Sequence, residues 1–249
     1  MNPDEFKIVI PARFASSRFP GKPLAELQGK PLLWHVYQRA LESAAEEIVI
    51  ATDDERIREV AENFGATVVM TDPNCQSGTD RIAEVSETAG WDKNTVIVNL
   101  QGDEPLTPPA VIQQVAAVLQ GNEKAGIATL CSEIESREDF LNPNIVKVVF
   151  DNVGQALYFS RAPIPWPRDN EQENPRDAWR HIGLYAYRAG FLQRWLTMPE
   201  SVLEGLEKLE QLRALQEGVI IQVEEACSVP PHGVDTPEQL QQLARLMDA

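Results

Sequence analysis

Cysteine is scarce in this chain of 249 residues: Cys75, Cys131 and Cys227 are odd in number, widely spaced and form no Cys-x-x-Cys pair. That excludes a disulfide framework and a structural zinc site, and all three are expected as reduced, buried thiols. Basic charge is also short. Lys and Arg number 22 against 38 Asp and Glu, a formal charge of -16, which excludes nucleic acid and anionic membrane as partners because both demand a basic face. No apolar run approaches the roughly 18 residues of a membrane-spanning helix. The opening Met-Asn-Pro-Asp-Glu-Phe-Lys has no basic segment leading into an apolar one, so a cytoplasmic protein is expected. A Walker A loop is missing too: Lys22 is followed by Pro23, and no glycine stands five residues before Gly21.

What is present is a core's worth of apolar residues, 43% of the chain, arranged as strand-like runs alternating with helical periods. This predicts a layered α/β fold in a single domain, residues 1–249. Strands are expected at 6–10, 47–52, 67–70, 95–100, 126–134, 180–188 and 219–223, with an antiparallel hairpin at 146–150 and 156–160. Helices are expected from Pro31, from Asp53 and Asp54 to about Phe64, from Thr79 or Asp80 through Ala89, and over 108–119 and 238–247. One amphipathic helix is read over 204–213, with apolar positions 206, 209, 212 and 215. Residues 163–178 are Pro-rich and polar, a loop or lid.

The candidate chemistry lies in the loops after the strands, where α/β sheets hold ligands. The segment after the first strand carries Arg13, Arg18 and Lys22, stiffened by Pro20, Gly21 and Pro23. Three cations and small residues in an otherwise acidic chain point to a polyphosphate site. Gln101-Gly102-Asp103-Glu104-Pro105 ends the strand 95–100. Asp103 there reads either as a Mg²⁺ ligand, since Mg²⁺ takes one or two protein carboxylates plus substrate phosphates, or as a turn residue bonding local amides. Asp235 reads as a helix cap or as a second metal carboxylate. Ser77 and Gly78 precede a helix whose first turn holds Arg81, a cation that opposes the helix dipole and needs a partner. His181 and Tyr185 share one face of a strand, a structural or a ligand-facing pair.

Seven motifs stand in one order: Pro-Ala-Arg-x-x-Ser-x-Arg-x-Pro-Gly-Lys-Pro-Leu from Pro11, Gln-Ser-Gly-Thr-x-Arg from Gln76, Gln-Gly-Asp-Glu-Pro from Gln101, Ala-Leu-Tyr-Phe-Ser-Arg from Ala156, Arg-His-x-Gly-x-Tyr-x-Tyr-Arg from Arg180, Leu-Glu-Gln-Leu-Arg from Leu209, and Gly-Val-Asp-Thr-Pro from Gly233. Over nearly the whole chain they resemble the 3-deoxy-manno-octulosonate cytidylyltransferases, or CMP-Kdo synthetases. The resemblance implies a three-layer, Rossmann-like nucleotide-diphospho-sugar transferase fold of glycosyltransferase-A type, with a mostly parallel mixed sheet. A nucleotide-binding part would span about residues 1–125, and a sugar-binding and dimerisation part about 126–249. It implies that CTP and Kdo give CMP-Kdo and pyrophosphate with Mg²⁺, for lipopolysaccharide synthesis, in a homodimer formed through the hairpin.

By that resemblance Arg13, Lys22, Asp103 and Asp235 are catalytic, the two aspartates binding metal. Pro11, Ala12, Arg13, Arg18, Lys22, Ser77, Arg81 and Gln101 would take the nucleotide. Gln101, Arg161, His181, Tyr185, Glu210 and Gln211 would take the sugar acid. Asp80 in place of the family's Glu, His232 ahead of Asp235, and a short 167–178 loop depart from the pattern, which leaves Kdo, its 8-amino analogue or another sugar acid as acceptor. Outside the family, a nucleotide-sugar-dependent glycosyltransferase and a non-catalytic anion-binding protein remain open.

Overall fold

The computed structural model describes residues 5–15, 19–169, 177–231 and 233–247. Arg18, His232 and the middle of the 163–178 segment lie outside them.

The apolar runs form strands where expected: β1 (Lys7–Pro11), then a two-stranded ribbon of β2 (Glu26–Leu27) and β3 (Lys30–Pro31) that no periodicity announced. Helix α1 (Leu32–Glu42), β4 (Glu47–Thr52), α2 (Glu55–Asn63) and β5 (Thr67–Met70) follow. Asp54 caps α2 by accepting the Arg56 amide at 3.0 Å, the role read for an Asp at that position. Helix α3 (Gly78–Thr88) starts earlier than predicted. Ser77, not Thr79 or Asp80, is its cap, and Asp80 closes a capping box.

Strand β6 (Val96–Asn99) is buried at every position, then come α4 (Pro109–Gln120) and β7 (Ile127–Glu133). The short α5 (Arg137–Leu141) has no counterpart in the sequence reading; Ser136 caps it by accepting from the Asp139 amide. The hairpin is β8 (Lys147–Phe150) and β9 (Ala156–Ser160), antiparallel as expected. After it come β10 (Trp179–Arg188) and α6 (Ala189–Trp195). The single helix expected over 204–213 is instead two, α7 (Val202–Glu207) and α8 (Gln211–Gln216), because Lys208 takes a left-handed conformation, φ 54°. Leu209 and Leu212 are buried while Leu206 is 76% exposed, so the apolar stripe is not continuous across the break. Strand β11 (Ile221–Glu225) and α9 (Pro237–Met247) complete the chain.

The strands of the main sheet run β11-β7-β10-β6-β1-β4-β5, with β8 pairing β10 and β9. Strands β6, β1, β4 and β5 are mutually parallel, and so are β7 and β11. Alternate residues of the strands feed two cores, as the period of two requires. Ile8, Ile10 and Val98 pack with α1, α2 and α4, whereas Val9, Val49 and Ile97 pack with α3, α6 and α8. The result is three layers. No helix among the described residues is long and apolar enough to cross a membrane.

Strand β10 decides where the site lies. It is antiparallel to both β6 and β7, pairing Tyr185 with Asn99 and with Thr129. Its first half therefore lies beside the carboxyl ends of β6 and β7, so that Arg180–Tyr185 chemistry and the Asp103 loop emerge at one edge.

Candidate active site

At that edge a cleft of about 460 Å³ is lined by loops from both halves of the chain, from Pro11 to Asp235. Its floor is tight. A Cβ on Gly102 would come within 2.9 Å of the Pro11 carbonyl, and one on Gly78 within 3.4 Å of the Pro11 ring. Glycine at both places lets the turns after β1 and β6 and the start of α3 converge on one point. Pro11, Ala12, Ser77 and Gln101, expected at the nucleotide by the resemblance, line this part.

The loop after β1 is shaped by its own turn. Gly21, at φ 72°, donates its amide to the Phe14 carbonyl at 2.9 Å, and a Cβ on it would meet the Phe14 ring at 3.1 Å. A short 3₁₀ turn, Lys22–Leu24, begins there. Lys22 points inward and donates to Asp103 Oδ2 at 2.5 Å and to Asp235 Oδ1 at 3.4 Å. Arg13 is exposed on the same wall.

Asp235 reaches this point because the C-terminal segment is stitched to the Asp103 turn. The Val234 amide donates to the Asp103 carbonyl at 2.8 Å, and a Cβ on Gly233 would meet that carbonyl at 3.1 Å. The capping role read for Asp235 is filled by others. Gln239 Oε1 accepts the amides of Asp235 and Thr236, and Thr236 Oγ1 accepts the Gln239 amide. Behind the pair, burial and the charge of Asp103 push the Glu104 carboxyl up to about 7.

Arg81 finds the partner its position demands. Its guanidinium is buried and donates to Asp53 Oδ2 at 2.9 Å and Thr71 Oγ1 at 2.6 Å, so this cation braces the wall with its charge already matched. Arg161 is the exception among the expected residues that the structure describes. It is not among the described residues lining the cleft, and its guanidinium donates to the carbonyls of Glu207 and Pro143.

The other end is aromatic. Between His181 and Tyr185 the register with β7 slips, four residues on β10 spanning two on β7, with Gly183 at φ 86°. The bulge brings the two rings to 5.2 Å, where an unbroken strand would hold residues four apart at about 13 Å. Tyr185, Tyr187, Phe191 and Trp195 continue the wall ring against ring. Tyr187 stands in the motif that begins at Arg180, on the face of 181 and 185, but is given no role there; Phe191 and Trp195 lie outside the motifs, although 191 and 195 are spaced for one helix face. Burial pushes the His181 imidazole down to about 3, so it is neutral. Thr129 gives its hydroxyl proton to the Leu184 carbonyl at 2.7 Å, so it accepts from His181 Nε2 at 2.9 Å. That tautomer leaves Nδ1 as an acceptor.

From the break at Lys208, Glu210 and Gln211 enter the cleft. Glu210 accepts from Thr79 Oγ1 at 2.9 Å, and desolvation raises its carboxyl above the usual range. Gln211 Nε2 is buried with no hydrogen-bond partner among the described residues. The cysteines are free but not uniformly buried: Cys131 is, Cys75 sits half-buried at the cleft edge with its thiol raised to about 11, and Cys227 is exposed.

A family model described as Cytidylyltransferase matches residues 7–224. Proteins named 3-deoxy-manno-octulosonate cytidylyltransferase from Cellvibrio japonicus and Thioalkalivibrio sulfidiphilus are 53% and 54% identical to this chain. The matches cover 98% of it in both cases, and 98% and 99% of the relatives. The chain belongs to the 3-deoxy-manno-octulosonate cytidylyltransferase family. A solved structure of CMP:2-keto-3-deoxy-manno-octonic acid synthetase complexed with CTP has a TM-score of 0.89 at 42% identity, over 98% of each chain. The α/β cytidylyltransferase fold expected from the motifs is therefore the fold found.

Proposed function

We propose that this protein transfers the cytidylyl group of CTP to Kdo, giving CMP-Kdo and pyrophosphate for lipopolysaccharide synthesis. The family supports the chemistry, and one observation supports its location. A single ammonium, Lys22, touches both Asp103 and Asp235 inside the cleft that also holds Arg13, His181 and Gln211.

In the reaction the anomeric hydroxyl of Kdo loses its proton to solvent, its oxygen bonds to the α-phosphorus, the bond from that phosphorus to the oxygen bridging it to the β-phosphorus breaks, and pyrophosphate leaves with that oxygen. Two anions must approach, so the chain's task is positioning and charge neutralisation. Arg13 and Lys22 take the phosphates and the departing charge, with Arg18 assisting. Pro11, Ala12, Ser77 and Gln101 shape the cytidine end, and Arg81 holds that wall in place. At the aromatic end Tyr185, Glu210 and Gln211 contact the sugar acid. The buried amide of Gln211 is an unmet donor that costs about 1–3 kcal/mol until a substrate oxygen accepts from it. His181, neutral, offers Nδ1 to a sugar hydroxyl and no charge to the carboxylate.

The donor set fits Mg²⁺. One cation already reaches both carboxylates, and hard oxygen ligands in that number are what Mg²⁺ takes from protein. Asp103 and Asp235 would hold it, and when bound it would supply charge neutralisation at the phosphates and favour the ionised hydroxyl. A homodimer through the hairpin accords with its exposed apolar residues, Val153 and Leu157, and light scattering would read its mass.

The deciding experiment is pyrophosphate release with each nucleoside triphosphate, with and without Kdo and Mg²⁺. Release with CTP, Kdo and metal together is expected. Release of nucleoside mono- or diphosphate from a sugar nucleotide would point to a glycosyltransferase, and CTP binding without turnover to a regulatory protein.

A further inference from the structure

The indole of Trp195 touches two elements at once. Its Nε1 donates at 2.8 Å to Asp80 Oδ1, on α3. The other oxygen of that carboxylate accepts the amides of Gln76 and Ser77, both at 3.0 Å. Its ring face carries the guanidinium of Arg213, 4.2 Å from the centroid, and Arg213 is held by two bonds to Glu204 at 2.7 and 2.6 Å. Arg213 belongs to α8, whose first residue is Gln211. The edge of one ring thus locates the loop at 76–78, and its face locates the helix that brings Gln211 to the cleft. The Thr79 to Glu210 bond joins the same two elements a second time.

We infer that Trp195 is a positioning residue that couples the cytidine side of the cleft to the sugar-acid side, so that filling one pre-orders the other. This rests on the assignment of the two sides given above. A ligand that fixes residues 76–78 fixes Asp80, hence the indole, hence α8, and the entropy of ordering α8 is then not charged again to the second substrate. Coupling of this kind is reciprocal.

Amide hydrogen exchange with CTP as the only added substrate tests it without turnover. In the wild-type protein CTP should slow exchange at residues 76–78 and also in α8. In W195F, which keeps the ring but loses the donor, the ligand-free protein should exchange faster in both segments, and CTP protection of α8 should fall below that of wild type, the Thr79 to Glu210 bond alone being left to carry it. Arg213→Met, which frees the ring face, should weaken the α8 protection while leaving the Asp80 side as in wild type. Steady-state rates should show the same split: about a 10-fold rise in the KM for Kdo in W195F, as expected for losing a hydrogen bond to a charged group, with kcat within about 2-fold of wild type, a separation that loss of fold would not give. Protection in wild type confined to 76–78, or equal spread to α8 in W195F, overturns the coupling. Absence of pyrophosphate release with Kdo would overturn the reaction assigned above, while the exchange result still decides the tie.

Discussion

Lys22 and Asp103 stand 81 positions apart in the chain and meet at 2.5 Å in the cleft, with Asp235 at 3.4 Å from the same ammonium. The cation marks the place where two carboxylates converge, and it must share that place with any metal that arrives with the nucleotide.

Asp103→Asn and Asp235→Asn should each lower kcat by about 100-fold or more, given that losing even an outer partner of a metal ligand commonly costs 10- to 100-fold. Stability should move by less than about 1 kcal/mol, because the ion pair to Lys22 is part-exposed. Pyrophosphate release at limiting Mg²⁺, beside a thermal melt, checks both. Near-normal activity in either variant removes that residue from the metal site.

Lys22→Met should separate two effects. Pyrophosphate departure slows, since one cation is gone from the phosphates. Binding of Mn²⁺ without nucleotide tightens, since the ammonium no longer occupies the carboxylates. If direct titration shows weaker metal binding, Lys22 is not a competitor for that site.

His181 predicts a pH effect with a definite sign. Its folded value, about 3, lies below its ordinary 6.5, so the unfolded chain takes up the proton first. The stability is complete above pH 6.5 and is lost as pH falls from there toward 3, by up to about 1.4 kcal/mol per pH unit. Urea melts from pH 7 to 5 should show a shallower slope in His181→Asn than in wild type. Identical slopes would mean that His181 is not held neutral.

Gln211→Leu should stabilise the ligand-free protein while harming the reaction. Removing a buried, unpaired donor gains about 1 kcal/mol, or roughly 2–4 °C in Tm for a chain of this size. The KM for Kdo should rise by about 10-fold or more for want of the same donor. A lowered Tm with an unchanged KM would show that the amide serves the fold and not the substrate.

Gly102→Ala should disturb the cleft floor. Its Cβ would stand 2.9 Å from a backbone carbonyl that is fixed in β1, and overpacking of that kind costs about 1–3 kcal/mol. A raised KM for CTP, with the KM for Kdo less affected, is the expected kinetic mark.

The sequence by itself determined what is periodic or contiguous. Runs such as 47–52 and 67–70 alternate or saturate with apolar residues because each strand buries its own neighbours, and those strands appear where the pattern put them. The motifs also carried the family, since Arg13, Lys22, Ser77 and Gln101 each sit in a short stretch whose local turn can be read. Tertiary structure decided everything that depends on direction and distance. Nothing local to residues 179–188 says that the strand runs antiparallel between β6 and β7, or that a bulge at Gly183 draws His181 and Tyr185 together. Nor does the stripe at 206, 209, 212 and 215 reveal the left-handed turn at Lys208 that brings Glu210 and Gln211 into the cleft. Periodicity records which face of an element is buried. Which other element covers it, and so which charges 81 or 213 positions apart come to face each other, is settled only when the layers pack.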